Sequence, residues 1–529
     1  MGRSGKQGRH GDASMVPQGA VGRQDPCKPP VQETPRSPSR RTGVVAYWLI
    51  PLLLFCFQAH LLFSPEPQIR YEELAESVRN VYWLQQRKVY DGVSSNVGWY
   101  GTLAVSYNLF GFSLFAAKYV RLALHLASLV CLAVLLRRFL GSRAGSVVLV
   151  TFGLSPVVLY FNTLQTSFGT DVSYIPLCLL LLFSIRRNRS RLDLTKTAAC
   201  WAVAMLACLS YPSFLFYLPS LVLIHLWWLR PGAEGEDRRW PLGHALAGTL
   251  GFLLPLLVAV AFVENRQLLL HDPVTGAGLF RGGGLLKLDP HTILVSVGVV
   301  LKDLFVRGGS YYFELDNPDF AGLAARASLL VAVGLYGYLL AVGRLERRPA
   351  FAVLALLLLS LLVPSLASSK GYPGIRRTTG MVVALYAMYA MAWRSLSCSH
   401  PTRRSWLAWG GIVLLLLLPV HHLSVYPANL RAASRPSKYR YGGWFTVRGT
   451  PAASLQHLLA VTGERRLPLK YVDEAHRPVP CRYGELFAAL AGYRHWNGLP
   501  RTPIYAYDWK SGRNIQLTTR LWEDYYYSH

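Results

Sequence analysis

Apolar runs of about twenty residues recur along most of this chain, and many of them end in arginines. As a helix, a run of that length crosses ~30 Å of hydrocarbon. In lipid a helix also satisfies its own backbone polar groups. The chain is therefore expected to be an α-helical polytopic membrane protein. The first run, VVAYWLIPLLLFCFQAHLLF, directly follows Arg40, Arg41, Thr42 and Gly43. Lys and Arg collect in cytoplasmic loops, which puts the N-terminal tail inside and the segment after the first run outside. Further spans are expected near 113–136, 145–161, 171–185, 197–212, 213–229, 241–263, 321–343, 350–366, 380–394 and 406–424. With the first run they make about 11 transmembrane helices.

The charge pattern tests this count. Basic clusters (RRFLGSR, RRNRSR, GRLERRP and SCSHPTRRS) fall where alternation puts the inside. SSKGYPGIRRTTG breaks the rule, with Lys370, Arg376 and Arg377 on the expected outer side. An anionic ligand would explain cations there. Hydrophobic residues are 52% of the chain and charged ones 16%, which excludes an ordinary soluble class. The net charge of +27 raises the question of nucleic acid. No basic reading helix, zinc-finger ligand set or RNA-binding aromatic signature accompanies it, so nucleic acid is not an expected partner. The eight cysteines show no CxxC spacing, and no cofactor or metal is called for by spacing.

Three regions follow. Residues 1–42 are a basic tail rich in Gly, Ser, Pro and Arg, too poor in apolar surface to fold. Residues 43–424 form the transmembrane domain, with long outer loops at 64–112 and 264–319; within the second, LDPHTILVSVGVVLKDLF has the pattern of a helix on the membrane surface. Residues 425–529 change character, with strand-like RLPLKYVDE and TPIYAYDWKSGRNIQLTT, and are expected to be a small C-terminal α/β domain on the outer side. That region has 15 Lys and Arg against 7 Asp and Glu, a difference of 8, which suits anionic head groups or an anionic glycan.

The first outer loop runs IRYEELAESVRNVYWLQQRKVYDGVSSNVGWYGTLAVSYNLFG. Glu72 and Glu73 stand side by side near the expected membrane boundary. Desolvation and mutual repulsion raise carboxylate pKa values, and a base works best with a pKa near the operating pH. Neighbouring residues on a helix diverge by about 100°, so one acid suits the base and the other a partner or a divalent metal. Taken alone, the dipeptide is better accounted for as a solvated first turn, where the helix dipole favours Glu. Asp171, at the mouth of the fourth span, suits either a second polar contact or a helix cap.

The order of these features resembles the GT-C glycosyltransferases, which use lipid-phosphate-linked sugars. Most similar are the dolichyl-phosphate-mannose protein mannosyltransferase group and its bacterial relatives, the lipid A aminoarabinose transferases. The residues that carry the resemblance are Tyr71-Glu72-Glu73, then NVGWYGTLAVSYNLFG and SLFAAKYVRLAL, then RRFLGSRAG, SPVVLYFNTLQTSFGTDVSYIP, DNPDFAGLAARASLLVAVGLYGYLLAVGRL and PSLASSKGYPGIRRTTGMVVALYAM. They span roughly residues 44–396. The resemblance implies that Glu72 occupies the place of the family's catalytic Asp, with Glu73 beside it. It implies a sugar moving from a polyprenyl phosphate to an acceptor hydroxyl of a lipid, glycan or protein, with inversion at the anomeric carbon. Arg376, with Arg377 and Lys370, would hold the departing phosphate. Two departures stand out: Glu replaces Asp at the first acid, and Val97-Gly98-Trp99-Tyr100 stands where bacterial relatives carry a Lys-Pro-Pro or Arg-Glu-Pro element. A second alignment would use Glu66. The expectation is a multi-pass enzyme of the cell envelope, in a bacterial plasma membrane, acting in glycan biosynthesis. The competing readings are a transporter of lipid-linked sugars and an inactive scaffold of the same fold.

Overall fold

The computed structural model describes residues 38–63, 68–70, 96–111, 116–155, 169–185, 191–229, 239–264, 290–305, 320–367, 380–399, 444–446, 504–508 and 513–517, with single positions elsewhere. Eleven α-helices are present among these residues: α1 (Pro38–Phe63), α2 (Val97–Phe110), α3 (Ala116–Gly153), α4 (Asp171–Ser184), α5 (Arg191–Ser210), α6 (Leu218–Leu229), α7 (Arg239–Phe262), α8 (Pro290–Phe305), α9 (Phe320–Ala341), α10 (Arg347–Ala367) and α11 (Gly380–Ser399). A 3₁₀ turn at Pro212–Tyr217 leads into α6, at the point where a tight Tyr211-Pro212 turn is expected.

Five stretches are long and apolar enough to cross a membrane: Ala116–Ser142, Arg191–Ser210, Pro212–Leu229, Leu242–Phe262 and Pro349–Leu366. Shorter apolar helices accompany them, including Val45–His60, Asp171–Ser184 and Gly380–Ala392. The chain is a multi-pass membrane protein. The eleven helices here are not the eleven spans read from sequence. α2 and α8 lie in the expected outer loops, α3 contains two of the expected spans, and the expected span 406–424 lies outside the described residues.

Gly141 explains how α3 holds two spans. Its φ of 78° breaks the helix into Ala116–Ser142 and Ala144–Gly153. A side chain with a Cβ rarely adopts that conformation, and the break falls in RRFLGSR, the expected inner turn.

The helices pack through one face and leave the other apolar and exposed, as a lipid-facing surface must be. On α1 the buried positions Tyr47, Leu54 and Gln58 follow the helical period, while Val45, Leu49, Leu52 and Leu53 are exposed. The buried face meets α3: Tyr47 Oη donates to the Ala133 carbonyl at 2.6 Å, and Gln58 Nε2 to the Gly153 carbonyl at 3.2 Å. α5 and α7 form the most extensive pair. On α7, Gly248 and Gly251 sit so close to Trp201 and Ala198 of α5 that neither has room for a Cβ. Small residues permit this approach of backbones. Leu242, Leu246, Leu250 and Leu254 line its exposed side.

Helix ends expected on one side do meet. Arg138 Nη1 donates to the Phe183 carbonyl at 2.6 Å, Trp228 Nε1 to the Ile185 carbonyl at 3.4 Å, and Arg394 Nη1 to the Phe139 carbonyl. All belong to the expected inner ends, called below the basic end.

The C-terminal region contributes two antiparallel pairs. β1 (Gln68–Arg70) pairs with β2 (Trp444–Thr446), with Ile69 opposite Phe445. β3 (Ile504–Asp508) and β4 (Arg513–Leu517) form a hairpin within the segment expected to be strands. The expected strand in RLPLKYVDE lies outside the described residues.

Candidate functional site

Three basic residues of α3 share one buried face. Lys118, Arg121 and His125 follow the spacing i, i+3, i+7 and are 2%, 0% and 0% exposed. Ser128, also buried, continues the stripe, which descends about 15 Å along the helix. The stripe starts at the end of the bundle where α3, α4 and α11 begin and α5 finishes.

The neighbours are polar and aromatic. Arg121 lies over the ring of Trp99 on α2, 5.9 Å from guanidinium carbon to centroid, and Trp99 is itself buried. Arg121 is also near enough to Tyr174 and His125 for its charge to act on both. Asp171 opens α4 and is fully buried. An acid in a first turn complements the helix dipole; the N-cap position itself is Thr170, and no side-chain cap hydrogen bond is made there. Ser173 Oγ, Ser128 Oγ and both ring nitrogens of His125 are buried with no hydrogen-bond partner among the described residues. Buried polar atoms are normally bonded, so the stripe holds hydrogen-bonding capacity that these residues do not use.

A chain of contacts carries the site across the bundle. Tyr174 Oη and Ser210 Oγ are 3.3 Å apart. The Tyr174 ring meets Phe214 edge-on at 6.3 Å, and Phe214 meets Tyr217 at 5.7 Å. Tyr217 Oη then accepts a hydrogen bond of 3.0 Å from the backbone N–H of Gly380, the first residue of α11. Gly380 has no room for a side chain, because a Cβ would enter Tyr217 and Ile175. On the opposite side, a Cβ on Gly98 of α2 would stand 3.0 Å from the backbone of Leu209 and Ser210. Burial pushes the Tyr107 phenol on α2 above its ordinary value, which keeps it neutral.

Of the residues singled out in the sequence, Asp171 is among the described residues, buried at the start of α4 three residues before Tyr174. Glu66, Glu72, Glu73, Lys370, Arg376 and Arg377 lie outside the described residues. Their covalent neighbours are informative. Arg377 precedes Gly380 by three residues, a tether of about 10 Å at most. Glu72 follows Arg70 by two residues, and Arg70 is paired with Trp444. The first loop is also tied to α7: Arg87 Nε donates to the Phe262 carbonyl at 3.1 Å, and the Glu264 N–H to the Arg87 carbonyl at 2.7 Å.

Lys118, Arg121 and His125 are not among the residues singled out in the sequence. The signal was present in AAKYVRLALHLAS, where three basic residues recur at helical spacing inside an apolar run. A charge within such a run is by default a functional candidate. Among the described residues no group of three or more His, Cys, Asp or Glu could hold a metal ion.

No protein-family model matches the chain, and no curated protein does. Among solved structures it is similar to ArnT from Cupriavidus metallidurans, determined bound to undecaprenyl phosphate. The identity is 15% and the TM-score 0.48, over 86% of this chain and 75% of the other.

Proposed function

We propose that the chain is an integral membrane glycosyltransferase that moves a sugar from a polyprenyl-phosphate donor to an acceptor hydroxyl. The observation that carries this reading is the buried basic stripe of Lys118, Arg121 and His125 at one end of the bundle, the end at which α4 opens with the buried Asp171. The chain leads from the same end directly into the Lys370/Arg376/Arg377 loop, through Gly380. The order of motifs in the sequence supports it independently.

In this reading Glu72 or Glu73 takes the proton from the acceptor hydroxyl. The oxygen attacks the anomeric carbon, the bond from that carbon to the phosphate oxygen breaks, and the lipid phosphate leaves with the electron pair. Attack opposite the leaving group inverts the configuration. Arg376, Arg377 and Lys370 stabilise the charge that develops on the phosphate. Lys118 and Arg121 supply positive potential from beneath, stronger for being removed from water. Asp171 keeps their positions fixed. The active site faces outward, and residues 425–529 form an outer domain beside it.

A transporter would place its binding charges near the bilayer midplane. Lys118 and Arg121 instead lie in the first two turns of α3. The test supplies purified protein in nanodiscs with radiolabelled polyprenyl-phosphate sugars and measures lipid phosphate release and sugar transfer. Glu72→Gln, Glu73→Gln and Arg376→Ala are compared with the parent chain. Undiminished transfer by both glutamine variants would sink the assignment of the base. Movement of intact lipid-linked sugar across proteoliposomes, without cleavage, would replace the enzyme by a transporter.

A further inference from the structure

We infer that the basic end of the bundle holds an anionic phospholipid, with a segment of one acyl chain seated in a crevice between α3, α4, α10 and α11 and its phosphate on the arginines there. A partly open apolar cavity of about 70 Å³ lies at this end, room for a few methylene groups of a chain and not for a whole ligand. Its lining is wholly apolar and includes Leu132, Leu136 and Phe139 of α3, Phe183 of α4, Leu356 of α10 and Met391 of α11. Such walls offer no hydrogen bond, so a sugar or a head group would lose its hydration there without compensation. A hydrocarbon chain loses nothing.

Charge gathers at one end of this pocket. Arg138 and Arg394 donate to the backbone carbonyls of Phe183 and Phe139, both of which line it. The exposed Arg347 stands two residues before Pro349, another lining residue. Glu346, exposed beside Arg347, offsets one of these three charges. A guanidinium carries five N–H donors in a fork, so the one carbonyl bond made by Arg138 leaves donors for phosphate oxygens. Trp228 marks the depth. Its indole N–H reaches the Ile185 carbonyl at 3.4 Å, and its ring meets Phe183 edge-on at 4.8 Å. Tryptophan is enriched at head-group level, where the phosphate of a lipid lies.

The occupant is distinguished from the glycosyl donor by position. Arg138 is twenty residues along α3 from Lys118, about 30 Å of helix. A lipid phosphate at one group of cations is therefore a bilayer thickness away from the other. In the orientation given by the charge pattern the basic end faces the cytoplasmic leaflet, which carries the anionic lipids. The inference does not depend on which sugar the protein transfers.

The test uses the full chain in phosphatidylcholine nanodiscs containing either phosphatidylglycerol or phosphatidylcholine with a photoactivatable diazirine in one acyl chain. Labelled peptides are mapped by mass spectrometry. Phosphatidylglycerol is expected to label residues 132–140 and 349–356, and phosphatidylcholine several-fold less. Joint replacement Arg138→Ala and Arg394→Ala should lower phosphatidylglycerol labelling roughly tenfold. Ala352→Trp, which fills the pocket, should abolish it. Ala384→Leu is the gentler filling variant, and thermal unfolding in detergent identifies which variants fold. Equal labelling by the two phospholipids, or labelling that survives filling in a folded variant, overturns the inference. Displacement of phosphatidylglycerol by polyprenyl phosphate at equal concentration overturns the choice of occupant.

Discussion

The guanidinium of Arg121 and the ring of Trp99 face each other at 5.9 Å, both fully withdrawn from solvent. The contact joins α2, which belongs to the first outer loop, to the second membrane-crossing helix. Cation–π attraction of this kind is worth about 2 kcal/mol or more when desolvated, and it holds a charge where an anion can use it.

Replacing Arg121 tests stability and function together. Arg121→Met keeps most of the volume but removes a buried charge and its contact with Trp99, and taking one member from a set of interacting buried charges costs about 3–5 kcal/mol. The expected result is a lowered thermal midpoint and a rise of at least tenfold in KM for the lipid-linked sugar. Arg121→Lys should retain part of the affinity. Thermal unfolding in detergent and donor titration of transfer check the two halves, and an unchanged KM in Arg121→Met removes this residue from the site.

Gly98 and Gly380 are expected to be intolerant for steric reasons. Gly98→Ala puts a methyl group 3.0 Å from backbone atoms of Leu209 and Ser210, which cannot rotate away. Overpacking of this kind costs about 1–3 kcal/mol, read as a lower midpoint in thermal unfolding. Gly337→Ala, with open space around its Cβ, is the matched control and should be silent.

Tyr47→Phe tests the seam between α1 and α3. The substitution deletes a 2.6 Å hydrogen bond to the Ala133 carbonyl within the bundle. Interhelical hydrogen bonds in membranes average about 0.6 kcal/mol, so a small loss in denaturant titration is expected. A loss above about 2 kcal/mol would mean that the phenol has a further role.

Pairing of β1 with β2 makes a covalent prediction. Ile69 and Phe445 stand directly opposite, where Cβ atoms are about 4.5–5.5 Å apart. The double variant Ile69→Cys, Phe445→Cys should form a disulfide on mild oxidation, seen as two fragments that stay joined after proteolysis between them. Ile69→Cys with Ala506→Cys should not.

The membrane bundle was legible in the sequence because length and apolarity determine a span almost alone. Seven expected spans, from Asp171 to Arg394, coincide with described helices within a few residues. Strand character in TPIYAYDWKSGRNIQLTT was legible too, since β-favouring residues dominate IYAYD and recur in RNIQL, the two strands of the pair. The candidate site was less so. Lys118, Arg121 and His125 read as a scatter until α2 and α4 are seen to close over them, since burial of a helix face depends on partners distant in sequence. Pairing of Ile69 with Phe445 was invisible for the same reason. Three-residue strands carry no alternation long enough to detect.

That short ladder also bears on biogenesis. One of its strands is made near the start of synthesis, and the other only after every described helix has emerged. The loop that carries Glu72 and Glu73 therefore acquires its strand partner last. A chain arrested at any intermediate span lacks that tie, so the ladder reports that every described helix has been made.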